Sequence, residues 1–495
     1  MLLDADHLAD LDEAVTVPTY DRDEVTVGIV HIGVGGFHRA HQAMYVDRLL
    51  EAGGSTEWGI CGVGVLPGDQ RMKEALDAQD TLYTLSLKHA DGEWDTSVIG
   101  SLVAYLFAPD DPEAVIETMA AATTRIVSLT VTEGGYNIDA TDGHFDAENP
   151  AIVADLRPGA VPATSFGLVT EALSRRRERG LAPFTVMSCD NIEGNGHVAR
   201  RTFTAFARLR DPSLADWLEA EGAFPNSMVD RITPATTPEV IAELAERHGI
   251  DDRWPVVSEP FTQWVLEDDF PLGRPALEEV GVQVVDDVTP YELMKLRLLN
   301  ASHQAICYFG HLSGYRLVHE AAQDPLFAEF LLAYMDNEAT PTLSEVPGID
   351  LDEYKHTLIE RFSNPGVRDT IARLCAESSD RIPKWLLPVV RANLASGGEI
   401  TLSTAVVASW ARYAEAVDEH GDPIEVVDAL KDTLVPIAQG QIDDPTAFIA
   451  NRAVFGDLVD DERFVGQYVR VLESLHDKGA RATLEEIVEA RRATP

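Results

Sequence analysis

Residues 28–42 read GIVHIGVGGFHRAHQ, and the fold turns on how this stretch is parsed. An apolar, β-branched run ending at Ile32 enters a glycine loop, Gly33, Val34, Gly35 and Gly36, and a helical segment follows. Strand, glycine turn and helix is the local order of a dinucleotide-binding unit. The first glycine makes the tight turn, the second lets the backbone approach a pyrophosphate, and the start of the helix favours its charge. Gly33 and Gly35 match the first two glycines of G-x-G-x-x-G. The third position is taken by His38, and Arg39 and His41 follow closely. Ile32, Gly33, Val34, Gly35, Gly36, Phe37 and His38 are therefore the expected cofactor-binding residues.

Outward from this loop the first half alternates. WGICGVGV is a second strand, TRIVSLTVTEGGY a third buried one with a glycine exit, TSFGLVTEALSRRRERG an amphipathic helix and FTVMSCDNIEGNG a further strand. A helical and hairpin-like stretch lies between the second and third. Strands separated by helices predict a parallel, doubly wound sheet. Near residue 288 the period changes. VTPYELMKLRLLNASHQAICYFGHL is a long apolar helix, and helical periods repeat from there to the C-terminus with almost no strand signal. The expected organisation is an α/β Rossmann-type domain over residues 1–287 and an all-α domain over residues 288–495.

Composition narrows the classes. The net charge is −44, only seven residues are lysine, and the acids are spread in pairs such as Asp251-Asp252 and Asp286-Asp287. Such a surface repels itself in dilute buffer and is tolerable where salt shortens the Debye length to about 3 Å at 1 M. A cytoplasmic protein of a halophilic organism is predicted, and nucleic-acid binding is disfavoured. No apolar run reaches the roughly 18–20 residues of a membrane span, and the acidic N-terminus does not read as a secretion signal. The four cysteines are isolated from one another, with no C-x-x-C spacing and hence no zinc or disulfide framework. No metal site is expected, including at His38 and His41.

Asp69, just past the second strand, is the candidate acid for the ribose hydroxyls, although it lies further from Gly33 than the usual spacing of about 20 residues. The strand ends LTVTEGG and VMSCDN place Thr132, Glu133, Asp190 and Asn191 where ligands of such sheets bind. In the apolar helix, Lys295, Asn300 and His303 stand within nine residues. At 100° per residue, Lys295 and His303 lie about 80° apart with Asn300 about 60° beyond, a broad face suited to an extended small molecule. A desolvated lysine can act as a general base, an asparagine amide can donate to an oxyanion, and a histidine can orient a hydroxyl. Thr289-Pro290-Tyr291-Glu292 fits a capping box with proline at the first helical position.

GVGGFHRAHQA, TEGGY, SCDNIEGNG, NSMVDRITP and KLRLLNASHQAICYFG, in this order along nearly the whole chain, resemble the polyol-specific long-chain dehydrogenases, the mannitol 2-dehydrogenase family. The resemblance implies NAD-dependent, zinc-independent oxidation of a secondary alcohol. It assigns Lys295 as the general base, Asn191 and Asn300 as the pair holding the oxyanion, His303 as a substrate-positioning residue and Arg373 as a substrate-binding one. Arg381 stands where the family more often has lysine, keeping the charge and changing its geometry. Gly68 departs from an acidic residue common beside Asp69, so NAD is expected with NADP left open. D-mannitol to D-fructose is the leading expectation. A hexuronate reductase (fructuronate or tagaturonate) and a D-arabinitol dehydrogenase are the alternatives on the same scaffold, and a non-catalytic NAD-binding regulatory protein the alternative of another class. A polyol or ketose partner and a monomer complete the expectations.

Overall fold

Val27–Ile32 (β1), Gly59–Gly64 (β2), Leu102–Phe107 (β3), Ile126–Leu129 (β4) and Thr185–Ser188 (β5) form one sheet in the order β3-β2-β1-β4-β5, every pair parallel. The computed structural model describes residues 1–139 and 143–493. Val30 and Ile32 join Val63, Val127 and Val186 in the apolar layer on one face, while Ile29 joins Ile60, Ile126 and Met187 on the other. Burial on both faces is why these strands read as nearly unbroken apolar runs. The strand order reverses between β1 and β4, and the loops leaving these two strands diverge there. That switch point is where doubly wound sheets open a crevice for a ligand.

The glycine loop leads into a short helix, Gly36–Ala40 (α1), and after a break at His41 into Gln42–Glu51 (α2). Two further sheets complete this part of the chain. The hairpin of Tyr83–Lys88 and Trp94–Ile99 is flanked by Val15–Thr16 and Val256–Ser258, and Gln263–Glu267 pairs with Ser227–Asp230 and Gln283–Val285. Only the hairpin was legible. The other strands are two to five residues long and pair with partners far away in sequence, so no local period marks them.

The chain divides into two compact units, Met1–Thr289 and a second beginning at Pro290. Among its described residues the second unit has helices and two isolated bridges, and no strand. Its central helix, Ala301–Leu312 (α4), is buried at every position except His311. Thr401–Tyr413 (α7) is buried almost as completely and packs along it, as does the short helix Ile371–Cys375 (α6). Helices apolar on all sides belong in the middle of a helical unit.

The expected capping box is corrected. The helix begins at Thr289 itself, Thr289–Met294, and the Thr289 N–H is taken by the Asp287 carboxylate at 2.9 Å. The aspartate two residues upstream thus contributes to capping this helix start. No helix among the described residues is long and apolar enough to cross a membrane.

Candidate active site

At the switch point the two glycines of the loop have different reasons to be glycine. Gly33 has φ +92°, and a Cβ there would stand 2.2 Å from the Thr130 carbonyl oxygen, so the loop sits directly on the end of β4. Gly35 is extended, and a Cβ on it would meet nothing nearer than the Gly33 carbonyl at 3.9 Å. The protein's own packing does not require that residue to be bare. A side chain there would fill the space over the backbone N–H groups that open α1, which is the space a pyrophosphate needs. The loop fits a dinucleotide.

His38, Arg39 and His41 face inward. Arg39 donates to the Trp254 carbonyl and lies 5.1 Å from the Tyr83 ring, whose hydroxyl donates to the Arg39 carbonyl. His41 stacks on Phe37 and meets the Gln263 carbonyl through Nε2 at 3.1 Å. His38 stacks on His31 of β1, with ring centroids 3.5 Å apart and planes within 12°. Among the described residues no group of three or more His, Cys, Asp or Glu side chains is arranged to hold a metal ion.

Asp69 lies past the end of β2. Its Oδ2 accepts the Val65 and Leu66 N–H groups, both at 2.9 Å, so one oxygen closes the turn. Burial beside it, and then its charge, push the phenol of Tyr105 on β3 upward. A Cβ at Gly68 meets nothing within 4 Å, so an acid would be sterically free there.

The ends of β4 and β5 are tied together by Asp190. Its carboxylate, 6 % exposed, accepts the N–H groups of Val131 (3.1 Å) and Thr132 (2.8 Å) and the hydroxyl of Tyr136 (2.7 Å). Desolvation pushes its pKa up, and those three hydrogen bonds oppose the rise. Thr132 is held at φ 62°, ψ 173°, a region nearly reserved for glycine and strained for a β-branched residue. On the other side of Asp190 is Asn191, exposed at the C-terminal end of β5. The turn beyond it is fixed by Asn195, at the start of Asn195–Arg210 (α3), whose amide donates to the carbonyls of Asp190 (2.9 Å) and Ser227 (2.7 Å).

In the second unit the expected uniform helix is corrected. Lys295–Asn300 is π-helical, with the Ala301 N–H reaching back to the Leu296 carbonyl instead of that of Arg297. Such a turn inserts about one residue, setting the faces on either side back by about 100°. Lys295 and His303 therefore close from about 80° to about 20°, and Asn300 lies about 40° to the other side of Lys295. The three share a face about 60° wide in place of one of about 140°. All three are buried, at 7 %, 4 % and 9 % exposure for Lys295, Asn300 and His303. The His303 ring packs on Phe362 with centroids 4.7 Å apart. The released carbonyl of Arg297 accepts the hydroxyl of the buried Tyr334, at the end of Pro325–Tyr334 (α5), at 3.1 Å.

Arg373 lies on α6, and Arg381, on the following helix Ser378–Trp385, reaches its end. The guanidinium of Arg373 grips both oxygens of Asp369, through Nε at 2.6 Å and through Nη2. Arg381 donates through Nη1 to the carbonyls of Arg373 (3.0 Å) and Leu374 (3.2 Å), capping the helix end that carries Arg373. Gln304 of α4 also reaches the Leu374 carbonyl, at 3.3 Å, joining this segment to the Lys295 helix.

Three residues at the site went unread in the sequence, His31, Thr130 and Tyr334, and so did the strained backbone of Thr132. His31 had a signal, a polar residue inside a buried apolar run. Tyr334 had none.

Two family models match the chain, the mannitol dehydrogenase Rossmann domain over residues 27–279 and the mannitol dehydrogenase C-terminal domain over residues 287–476. The mannitol 2-dehydrogenase of Aspergillus fumigatus is 47 % identical over 481 residues, 96 % of each chain. That of Pyricularia oryzae is 45 % identical, covering 98 % of this chain and 99 % of its own. The solved ternary complex of Pseudomonas fluorescens mannitol 2-dehydrogenase with NAD and D-mannitol superposes with a TM-score of 0.89 at 45 % identity, covering 99 % of this chain and 100 % of that one. A substrate-free D-sorbitol dehydrogenase gives 0.91 at 39 % identity, covering 98 % and 100 %.

Proposed function

This chain belongs to the mannitol dehydrogenase family, and from that premise we propose that it oxidises D-mannitol to D-fructose with NAD. The observation that carries the proposal within the chain itself is the narrow face shared by Lys295, Asn300 and His303. A base, an amide donor and an imidazole on one buried stripe suit a single hydroxyl-bearing carbon.

Lys295 in its neutral form accepts the proton of the hydroxyl at C2. As that proton leaves, the oxygen gains negative charge, and the amide of Asn300 donates to it. Asn191 is assigned the same kind of donor role. Preorganised donors of this kind are worth about 10²–10³ in rate each. His303, held against Phe362, orients the hydroxyl, and Arg373, itself fixed by Asp369 and Arg381, binds the polyol chain. The nicotinamide, when bound, supplies the hydride acceptor. Asp69 holds the ribose hydroxyls, and the Ile32–His38 loop holds the pyrophosphate.

The likeness to a D-sorbitol dehydrogenase favours a second reading, oxidation of D-sorbitol. The two polyols differ only in configuration at C2 and yield the same ketose, so the choice rests on where the hydroxyl meets the base. NADH formation with D-mannitol, D-sorbitol and D-arabinitol, and NADH consumption with D-fructose, fructuronate and tagaturonate, all at molar salt, separate the readings. The highest kcat/KM with D-mannitol is expected. A higher value for D-sorbitol, D-arabinitol or a hexuronate would replace the substrate, and no turnover with any of them would leave a binding protein. A monomer and a cytoplasmic location belong to the same proposal; light scattering of the purified chain and cell fractionation check them.

A further inference from the structure

His31 is a fully buried histidine near the C-terminal end of the central strand, on the face that Ile29 shares with the apolar layer. Its ring touches the end of β4 on both sides. Nδ1 lies 2.8 Å from the Ser128 hydroxyl and Nε2 lies 2.9 Å from the Thr130 hydroxyl. The Thr130 hydroxyl in turn is 2.7 Å from the carbonyl oxygen of Gly33, and the Ser128 hydroxyl is 3.0 Å from the carboxamide of Gln42.

The positions of the protons follow from counting. A carbonyl oxygen only accepts, so a 2.7 Å contact to Gly33 requires that the single proton of Thr130 point at it. The Thr130 oxygen must then receive its proton from Nε2 of His31. Burial keeps the ring neutral, with its pKa pushed down to about 3, so Nδ1 is bare and accepts from Ser128. The Gln42 atom placed opposite Ser128 is Oε1; with the Ser128 proton spent on His31, the carboxamide must present its nitrogen there instead. Turning the carboxamide end for end in this way gives Gln42 Nε2 an acceptor and directs its oxygen toward His38. Those are the groups otherwise left without partners: Gln42 Nε2 and both ring nitrogens of His38. The carboxamide interacts with both imidazoles. One orientation thus gives a partner to Gln42 Nε2 and an acceptor to one ring nitrogen of His38.

We propose that His31, as its neutral Nε2–H tautomer, is a positioning residue for the dinucleotide loop. Hydrogen bonds run one way from Gln42 through Ser128, His31 and Thr130 into the carbonyl of Gly33, and the His31 ring forms the floor on which His38 stacks. The proposal rests on the reading of residues 32–38 as the cofactor loop. It also accounts for the histidine that stands in place of the third fingerprint glycine. A bare glycine there would allow close helix–strand packing; two flat rings 3.5 Å apart achieve close packing with a side chain present. The chain ends on the peptide that joins Gly33 to Val34. A bond into its carbonyl polarises that peptide and strengthens its N–H as a donor to an anion.

The test is NADH affinity, measured by fluorescence titration of the full chain without polyol, together with KM for NAD and kcat for the polyol. Thr130→Val removes both the donor to Gly33 and the acceptor for His31, whereas Thr130→Ser keeps them. The expected result is about a tenfold weaker NADH Kd in Thr130→Val, or 1.4 kcal/mol, with kcat nearly unchanged and affinity restored in Thr130→Ser. Equal affinity in the two variants, or a fall in kcat with Kd unchanged, would overturn the proposal. Nitrogen NMR of labelled histidine gives a readout that survives if Thr130→Val does not fold. His31, assigned by its loss in His31→Asn, must show a protonated Nε2 and a bare Nδ1; the other tautomer overturns the relay. Absence of polyol turnover in the parent chain would count against the proposed reaction alone, because the titration contains no polyol.

Discussion

The hydroxyl of Tyr334 donates to the carbonyl of Arg297 at 3.1 Å, and that carbonyl is the one released when Ala301 reaches back to Leu296. A tyrosine 37 residues downstream thus donates to a carbonyl at the wide turn of a buried helix. Tyr334→Phe keeps the packing and removes one buried hydrogen bond, which costs about 0.5–1.5 kcal/mol. Thermal or denaturant melts should show that loss. Steady-state kinetics should show a lower kcat with NADH affinity retained, since the turn aligns Lys295 with His303. Unchanged kcat in a destabilised variant would reduce Tyr334 to a purely structural role.

Lys295→Ala should lower kcat by about 10²–10⁴-fold, the usual share of a general base, while NADH titration gives the parent Kd. Turnover within a few-fold of the parent would assign the base to another group.

Thr132 sits in a backbone region that costs a non-glycine residue about 1–3 kcal/mol, held there by Asp190. Thr132→Gly removes that strain and adds about 0.5–1 kcal/mol of chain entropy to the unfolded state. A net rise in stability of about 1 kcal/mol is expected, accompanied by lower activity as the loop beside Asn191 loosens. A destabilised Thr132→Gly would mean that the threonine side chain contributes more than its backbone costs.

Asp47 on α2 is buried, and desolvation pushes its carboxyl up to about 6 against the hydrogen bonds from Tyr20 (2.6 Å) and the Gly100 N–H (2.8 Å). A folded value above the unfolded one, about 3.9, means that the folded state holds more protons between them. The contribution of this group to stability is complete below the unfolded value and is lost as pH rises through the folded one. Asp47→Asn keeps an acceptor and removes the titration. It should match the parent near about pH 4 and exceed it by about 1–3 kcal/mol near about pH 8. A difference independent of pH would locate the effect elsewhere.

The net charge of −44 sets a salt dependence. Raising ionic strength from about 0.1 M to about 1 M shortens the Debye length from about 10 Å to about 3 Å and screens the self-repulsion. The melting temperature should climb over that range. Equal midpoints at both ends would remove the halophilic expectation.

Period and punctuation carried the sequence a long way. The run Val27–Ile32, buried on both faces, announced a central strand, and Gly33 and Gly35 announced the loop, because strand burial and positive φ each leave a mark on a few adjacent residues. Lys295, Asn300 and His303 were equally visible as polar residues in an apolar helix, and Asp190 and Asn191 as polar ends of a strand. Arg381 was visible as a charge, but its use, capping the helix end beneath Arg373, was not.

Sequence by itself determined which residues are candidates for the chemistry and in which elements they lie, since both follow from local spacing. Tertiary structure alone decided how they face. The wide turn at Lys295–Asn300 is indistinguishable from an ordinary helix in a list of residues, because its cost is met by a hydroxyl from another helix. With it, a base, an amide and an imidazole share about 60° of one face in place of about 140°. The protonation of His31 was likewise invisible, because it is set by Thr130 and Gly33, groups that only the pairing of β1 with β4 brings to its ring.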